Sequence, residues 1–203
     1  RRQRQMCIRD SLLNPDEKFA VGPYAVSDYY MESRKAQAHA MENAKQVILD
    51  VAKDFEKISG RKYGLIEEYK MDDAEYAMVI IGSAAGTAKE AIDQMRENGE
   101  KVGLVKIRSF RPFPAEQIGA ALKKCKAVAV MDRCESFSTQ GGPVGAETMQ
   151  AMYTNGCTAK AINNYVRHWW KRCYSRRYEG CLQDTYGNCR NRNNRPNLQI
   201  YGT

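Results

Sequence analysis

Apolar positions change their spacing part-way along this chain. Ala44, Val47, Ile48, Val51, Phe55 and Ile58 follow one another in steps of three and four, which puts them in one stripe on a helix. Ser27 is the expected N-cap of that helix. Asp28 and Glu32 stand in its first turns, where the helix dipole favours acids. Gly60 is the expected stop, with Lys57 just before it and Arg61 just after. At roughly thirty residues the helix is longer than most in globular domains, so it is expected to bridge two domains or to brace one. His39 lies on it, as a surface or core histidine. Leu12–Pro23 reads as a loop, broken by Asn14-Pro15 and Gly22-Pro23.

From Asp72 the spacing is no longer helical. Tyr76–Ile81 is a nearly continuous apolar run, the mark of a strand covered on both faces. The turn from Gly82 to Thr87 leads into a helix carrying Ala88, Ala91, Ile92 and Met95, and Gly99 stops it. Val102–Ile107 is the next strand. Pro112-Phe113-Pro114 starts a helix with Ile118, Ala121 and Leu122. Ala127–Met131 is a strand, Gly141-Gly142-Pro143 opens a helix that ends near Asn155-Gly156, and Thr158–Val166 is the last predicted strand. Strands alternating with helices give an α/β fold. The expected architecture is an open, mainly parallel sheet with helices on both faces, preceded by the long helix.

Charge changes this picture less than its total suggests. The chain of 203 residues carries a formal net charge of +8. Residues 1–11 hold four Arg and one Asp, and residues 167–203 hold eight basic and two acidic groups. The stretch between them holds 20 basic and 21 acidic groups, so the expected folded part is near neutral. A phosphate-binding surface needs basic groups gathered on a folded face, which argues against nucleic acid. No run of about 18 apolar residues exists, so no membrane helix is expected. Residues 1–11 have no periodicity and read as a non-native leader on a fragment.

The seven cysteines are Cys7, Cys125, Cys134, Cys157, Cys173, Cys181 and Cys189, and none forms a C-x-x-C pair. The last three recur eight apart, but zinc spacings are shorter and only His168 is near. Reduced thiols of a cytoplasmic protein are the expectation.

Three groups of candidate residues fall at strand carboxyl ends, the ligand side of an open sheet. Gly82, Ser83, Gly86 and Thr87 form a turn whose backbone amides could hold an anion. The plainer alternative is a tight turn capped by Thr87 or Ser83. Arg108, Arg111 and Phe113 could meet an acidic partner surface, or pair within the chain. Arg133, Glu135 and the Gly141-Gly142 loop lie on the same side. No Ser-His-Asp or Cys-His constellation is visible, and no metal site is expected.

The ordered blocks Y-Y-M-E-S-R-K-A-Q (Tyr29–Gln37), G-R-K-Y-G-L-I-E-E-Y (Gly60–Tyr69), I-I-G-S-A-A-G-T-A-K (Ile80–Lys89), V-G-L-V-K-I-R-S-F-R-P-F-P (Val102–Pro114) and V-A-V-M-D-R (Val128–Arg133) carry a likeness. From Gly22 to Tyr153, about two thirds of the chain, the sequence resembles the C-terminal part of the α subunit of pyruvate:ferredoxin and related 2-oxoacid:ferredoxin oxidoreductases. The resemblance implies oxidative decarboxylation of a 2-oxoacid on thiamine diphosphate, with the acyl group passed to coenzyme A. Electrons would leave through iron–sulfur clusters to ferredoxin. It implies β, γ and δ subunits as partners and Mg with the diphosphate, held by another subunit or domain. The pyrimidine-binding domain with its activating Glu would lie upstream of Leu12. Residues 12–71 would then be the end of that region and the connecting helix. Residues 72–166 would be core domain II, similar to the transketolase C-terminal domain. No catalytic residue of the family maps onto this sequence, and the work implied is assembly and shaping of the site. A non-catalytic α/β interaction or ligand-binding module is the competing expectation. A basic nucleic-acid or metal protein with a genuine tail is a third.

Residues 167–203 depart from the family pattern. W-W-K requires TGG TGG AAR, which read one base later forces Gly-Gly. The following codons permit R-D-V-T-P-D-D-M in the same frame, and Gly-Gly-Arg-Asp-Val-Thr suits the family there. A one-base frameshift near Val166–His168 is therefore expected, leaving an aberrant tail without a folding pattern.

Overall fold

The computed structural model describes residues 26–138, 140–165, 182 and 199–200. The leader 1–11 and His168 lie outside the described residues. So does the tail, apart from Leu182, Gln199 and Ile200. Two compact units divide the chain after Ala40. In the first, the described residues begin helix α1 (Ser27–Ser59), and all of them are exposed, His39 included.

The second unit takes up α1 at Met41 and ends it at Gly60, whose φ of +68° only glycine adopts freely. Here the structure corrects an expectation. The apolar stripe of α1 stays largely exposed, with Phe55 in ring contact with Tyr63 at 5.7 Å, and no residue of the helix is buried. Its partly covered positions are Ala44, Lys45, Leu49, Ala52 and Glu56, whereas Val47, Val51, Phe55 and Ile58 face solvent.

A sheet follows, made of β1 (Ile66–Tyr69), β2 (Tyr76–Ile81), β3 (Val102–Ile107), β4 (Ala127–Asp132), β5 (Lys160–Tyr165) and the two-residue β6 (Gln199–Ile200). Its order is β1-β3-β2-β4-β5-β6. All neighbours are parallel except β1, which runs antiparallel to β3 with Ile66 opposite Ile107. Helices α2 (Ala84–Glu97), α3 (Ala115–Leu122) and α4 (Pro143–Thr154) make the connections. The expected parallel core strands are all present. Two strands were unforeseen: β1, whose I-E-E-Y lacks an apolar run because it lies on the sheet edge, where charge is tolerated, and β6, which falls in the tail expected to have no folding pattern.

The side-chain period of two sorts each central strand between two cores. On one face Met78, Ile80, Leu104 and Met131 meet Ala88, Ala91, Ile92 and Met95 of α2, and Leu182 is buried with them. On the other, Val79, Val105, Val128 and Val130 meet Ile118 and Leu122 of α3 and Val144 and Met152 of α4. Fully burying one such aliphatic side chain stabilises by roughly 1.5–3 kcal/mol relative to leaving it in water. Two-sided burial is why these strands read as continuous apolar runs.

Candidate functional site

The parallel sheet places the loops after β2, β3 and β4 at one edge. The chain passes from β2 to β3 on one side and then to β4 on the other, so the carboxyl ends of β2 and β4 flank the point where the connections change direction. In open α/β sheets that is the usual ligand crevice. The turn after β2 and the loop after β4 both leave the sheet at that edge.

The turn after β2 is shorter than expected. Gly82 takes φ +79°, and α2 begins at Ala84 with Ser83 as N-cap, its side chain making no capping bond. Gly86 and Thr87 therefore belong to the first helical turn. Two first-turn amides are already used, Ala85 N–H by the Gly82 carbonyl at 3.4 Å and Gly86 N–H by the Ser83 carbonyl at 3.1 Å. A Cβ added at Gly86 meets nothing within 4 Å. Gly86→Ala is thus expected to stabilise by about 0.5–1 kcal/mol, through helix propensity and a less flexible unfolded chain. A shift of the urea midpoint measures it, and a lowered midpoint would contradict the open geometry.

The loop after β3 splits its candidates between two neighbours. Arg108 turns to β1, where its guanidinium bonds Glu67 at 2.7 Å and stacks over the Tyr63 ring at 4.7 Å. Lys89 also bonds Glu67, and together the two cations hold this carboxyl below its usual range. Arg111 turns to α4 and pairs with Glu147. Phe113 packs edge-on against Phe110, with ring centroids 5.8 Å apart, on the α3 side of the core. Pairing within the chain, the second of the two expectations, is what both arginines do.

The loop after β4 holds what sequence reasoning missed. Asp132, the last residue of β4, is only 2% exposed. Its Oδ1 accepts the Val144 N–H at 3.0 Å, and its Oδ2 accepts the Gly145 N–H at 2.8 Å. Asn163 of β5 donates to the same Oδ2 at 2.8 Å and to the Val130 carbonyl at 3.2 Å, and accepts the Gly142 N–H at 2.7 Å. Pro143 stands at the first position of α4 and has no N–H to place. The helix N-terminus is thereby closed by a carboxylate from the neighbouring strand. Gly141 takes φ +90° to turn the loop back, and its carbonyl accepts the Ser136 N–H at 3.0 Å. Burial pushes the Asp132 carboxyl up. The amides of Val144 and Gly145 and the Asn163 side chain pull it back without cancelling the rise. The sequence signal was a lone Asp ending an otherwise apolar strand, followed by G-G-P and by N-N in the next strand. Arg133 and Glu135 stay exposed at the rim of this loop.

Among the described residues no group of three metal donors comes together. Cys125 is buried with its thiol pushed up to about 11 by burial, Cys157 is half-buried, and Cys134 is exposed.

Residues 74–169, from just before β2 to beyond β5, match the family described as pyruvate:ferredoxin oxidoreductase core domain II. The segment belongs to that family. The matched segment holds strands β2 to β5 and the Asp132–Asn163 closure. The chain is similar to pyruvate synthase subunit PorA of Methanothermobacter thermautotrophicus, 43% identical over 130 residues, or 64% of this chain and 34% of the relative. It is also similar to NADH-dependent phenylglyoxylate dehydrogenase subunit alpha of Aromatoleum evansii, 44% identical over 128 residues, or 63% and 31%. The chain therefore spans about a third of the length of these relatives. In fold, it is similar to a solved split-gene transketolase, an inactive β4 tetramer. That likeness has a TM-score of 0.50 at 12% identity and covers 63% of this chain and 45% of the other. No helix among the described residues is long and apolar enough to cross a membrane.

Proposed function

We propose that this chain is part of the α subunit of a thiamine-diphosphate-dependent 2-oxoacid:ferredoxin oxidoreductase, and that this part builds and shapes the enzyme without itself carrying the chemistry. Residues 12–71 are the end of a pyrimidine-binding region and a connecting helix, and residues 72–166 are core domain II. Its partners are the remaining β, γ and δ subunits, with ferredoxin as electron acceptor and the cytoplasm as location. The observation that carries the reading is the family match over residues 74–169, which hold strands β2 to β5, together with 43% identity to a pyruvate synthase subunit.

The described residues do not fit a diphosphate and its metal. The N-terminal amides of α4 are taken by Asp132, and those of Ala85 and Gly86 by backbone carbonyls. No trio of carboxylate, histidine or cysteine donors supplies a metal site among them. Thiamine diphosphate, Mg and iron–sulfur clusters accordingly belong, in this proposal, to other parts of the complex. Pyruvate is favoured as substrate because pyruvate synthase subunits are prominent among the relatives. Identity to the phenylglyoxylate relative is as high, which supports a segment that does not choose the 2-oxoacid.

The test uses the 203-residue chain alone and together with the missing remainder and the other subunits. Alone, it is expected to show no heat of binding with thiamine diphosphate and Mg, and no pyruvate-dependent reduction of ferredoxin. Co-expression is expected to restore CoA-dependent activity. Binding or turnover by the chain alone would overturn the assignment.

A further inference from the structure

We propose that Tyr63 is a positioning residue, a latch that fixes the direction in which the C-terminal half of α1 leaves the sheet. No residue of α1 is buried, so burial does not hold the helix in place. Between its end and β1 the chain has no regular structure, and glycine stands at both ends of the link, as Gly60 and Gly64. Gly60 lies at φ +68°. Glycines leave such a link free to turn unless a side chain spans it. Beyond it the chain is fixed again at Leu65, which is 3% exposed and whose carbonyl accepts the Arg108 and Ser109 N–H groups at 2.9 and 3.0 Å.

Tyr63 spans the link. Its ring centroid lies 5.7 Å from that of Phe55 on α1, with the planes tilted by 56°. Ring pairs favour separations of about 4.5–7 Å. The Arg108 guanidinium stands over the same Tyr63 ring at 4.7 Å, a cation–π contact. That cation is itself held. It bonds one oxygen of Glu67 at 2.7 Å and reaches the Lys62 carbonyl at 3.5 Å. Lys89 of α2 bonds the other Glu67 oxygen. The contacts Phe55–Tyr63–Arg108–Glu67–Lys89 therefore run from α1 to α2 along the antiparallel edge of the sheet. Arginine suits its place in this series, because a flat guanidinium stacks on a ring and bonds a carboxylate at once. Where α1 is the connecting helix, a point that rests on the function proposed above, Tyr63 sets the angle of that connection.

Nitrogen-15 relaxation of the full chain tests the latch. Amides 45–59 are expected to tumble with the sheet, with order parameters of about 0.85, and Tyr63→Ala is expected to lower them below about 0.6. Tyr63→Phe keeps the ring and should match the wild type, because stacking does not use the hydroxyl. Phe55→Ala removes the helix side of the same contact and should release α1 likewise. The double alanine variant should go no further than either single one, since both remove one contact. Circular dichroism and the urea midpoint should stay near wild type, because Tyr63 is 39% and Phe55 46% exposed. Order parameters in α1 that are already low in the wild type, unchanged in both alanine variants, or lowered by Tyr63→Phe would overturn the latch. The readout does not use catalysis, so failure of the latch and failure of the proposed function are told apart.

Discussion

Asp132→Asn is expected to lower the unfolding free energy by about 2–4 kcal/mol, read from the denaturant midpoint at constant slope. The wild-type carboxylate accepts three N–H groups in a site that water does not reach. An amide has one accepting oxygen and brings two donors of its own. At least one donor among Val144 N–H, Gly145 N–H and the Asn163 amide then loses its acceptor. Each buried donor left unpaired costs roughly 1–3 kcal/mol. The effect should also depend on pH with a definite sign. Burial holds the folded Asp132 above the ordinary value of 3.8, so the folded state binds this proton more tightly than the unfolded chain. Its contribution is fully present below that ordinary value and is lost as pH rises through the folded pKa. The penalty of Asp132→Asn is therefore expected to grow on acidification. Glu67 and Asp93 act in the opposite sense. Lys89 with Arg108, and Lys70 with Tyr69, depress them, so what they contribute is lost as pH falls. A penalty that shrinks in acid would show that the buried group prefers to be charged.

Gly142→Ala is expected to cost about 2–3 kcal/mol by overpacking. Gly142 has φ −86° and ψ 162°, which any residue adopts, so its backbone does not require glycine. Space does. A Cβ there would lie 2.1 Å from Asp132 Cγ and 2.4 Å from Asp132 Cβ. Neither group can retreat without breaking the bonds that close α4. The double variant Asp132→Gly/Gly142→Ala separates this cause from a general loop defect. Removing the carboxylate vacates the space that the new methyl needs. The two costs are therefore expected to fall short of additivity by about 1 kcal/mol or more. Strict additivity would mean that the contact does not limit the fit of the loop.

Much of the fold was legible because its signals are local. Y-A-M-V-I-I, V-G-L-V-K-I and A-V-A-V-M-D are apolar runs of strand length, and the positive φ of Gly60, Gly99 and Gly156 appears where the helices were expected to stop. The intrachain partners of Arg108 and Arg111 were not legible. Glu67 lies on a strand hidden by its own charges, and Glu147 is 36 residues away from Arg111. The Gly82–Thr87 turn was placed correctly at a strand end but drawn too long, since nothing in G-S-A-A-G-T marks the helix start at Ala84.

The pattern of residues by itself determined the α/β class, the parallel central strands and the positions of their turns, because burial on both faces and the 3.6-residue period are written into consecutive side chains. Tertiary structure decided which polar groups matter. Asp132 and Asn163 are 31 residues apart and become a single closure only when β4 and β5 pair in register, with Val130 opposite Asn163. It also decided that the apolar stripe of α1 faces water. Periodicity shows that a helix has an apolar side. Only packing shows whether anything lies against it.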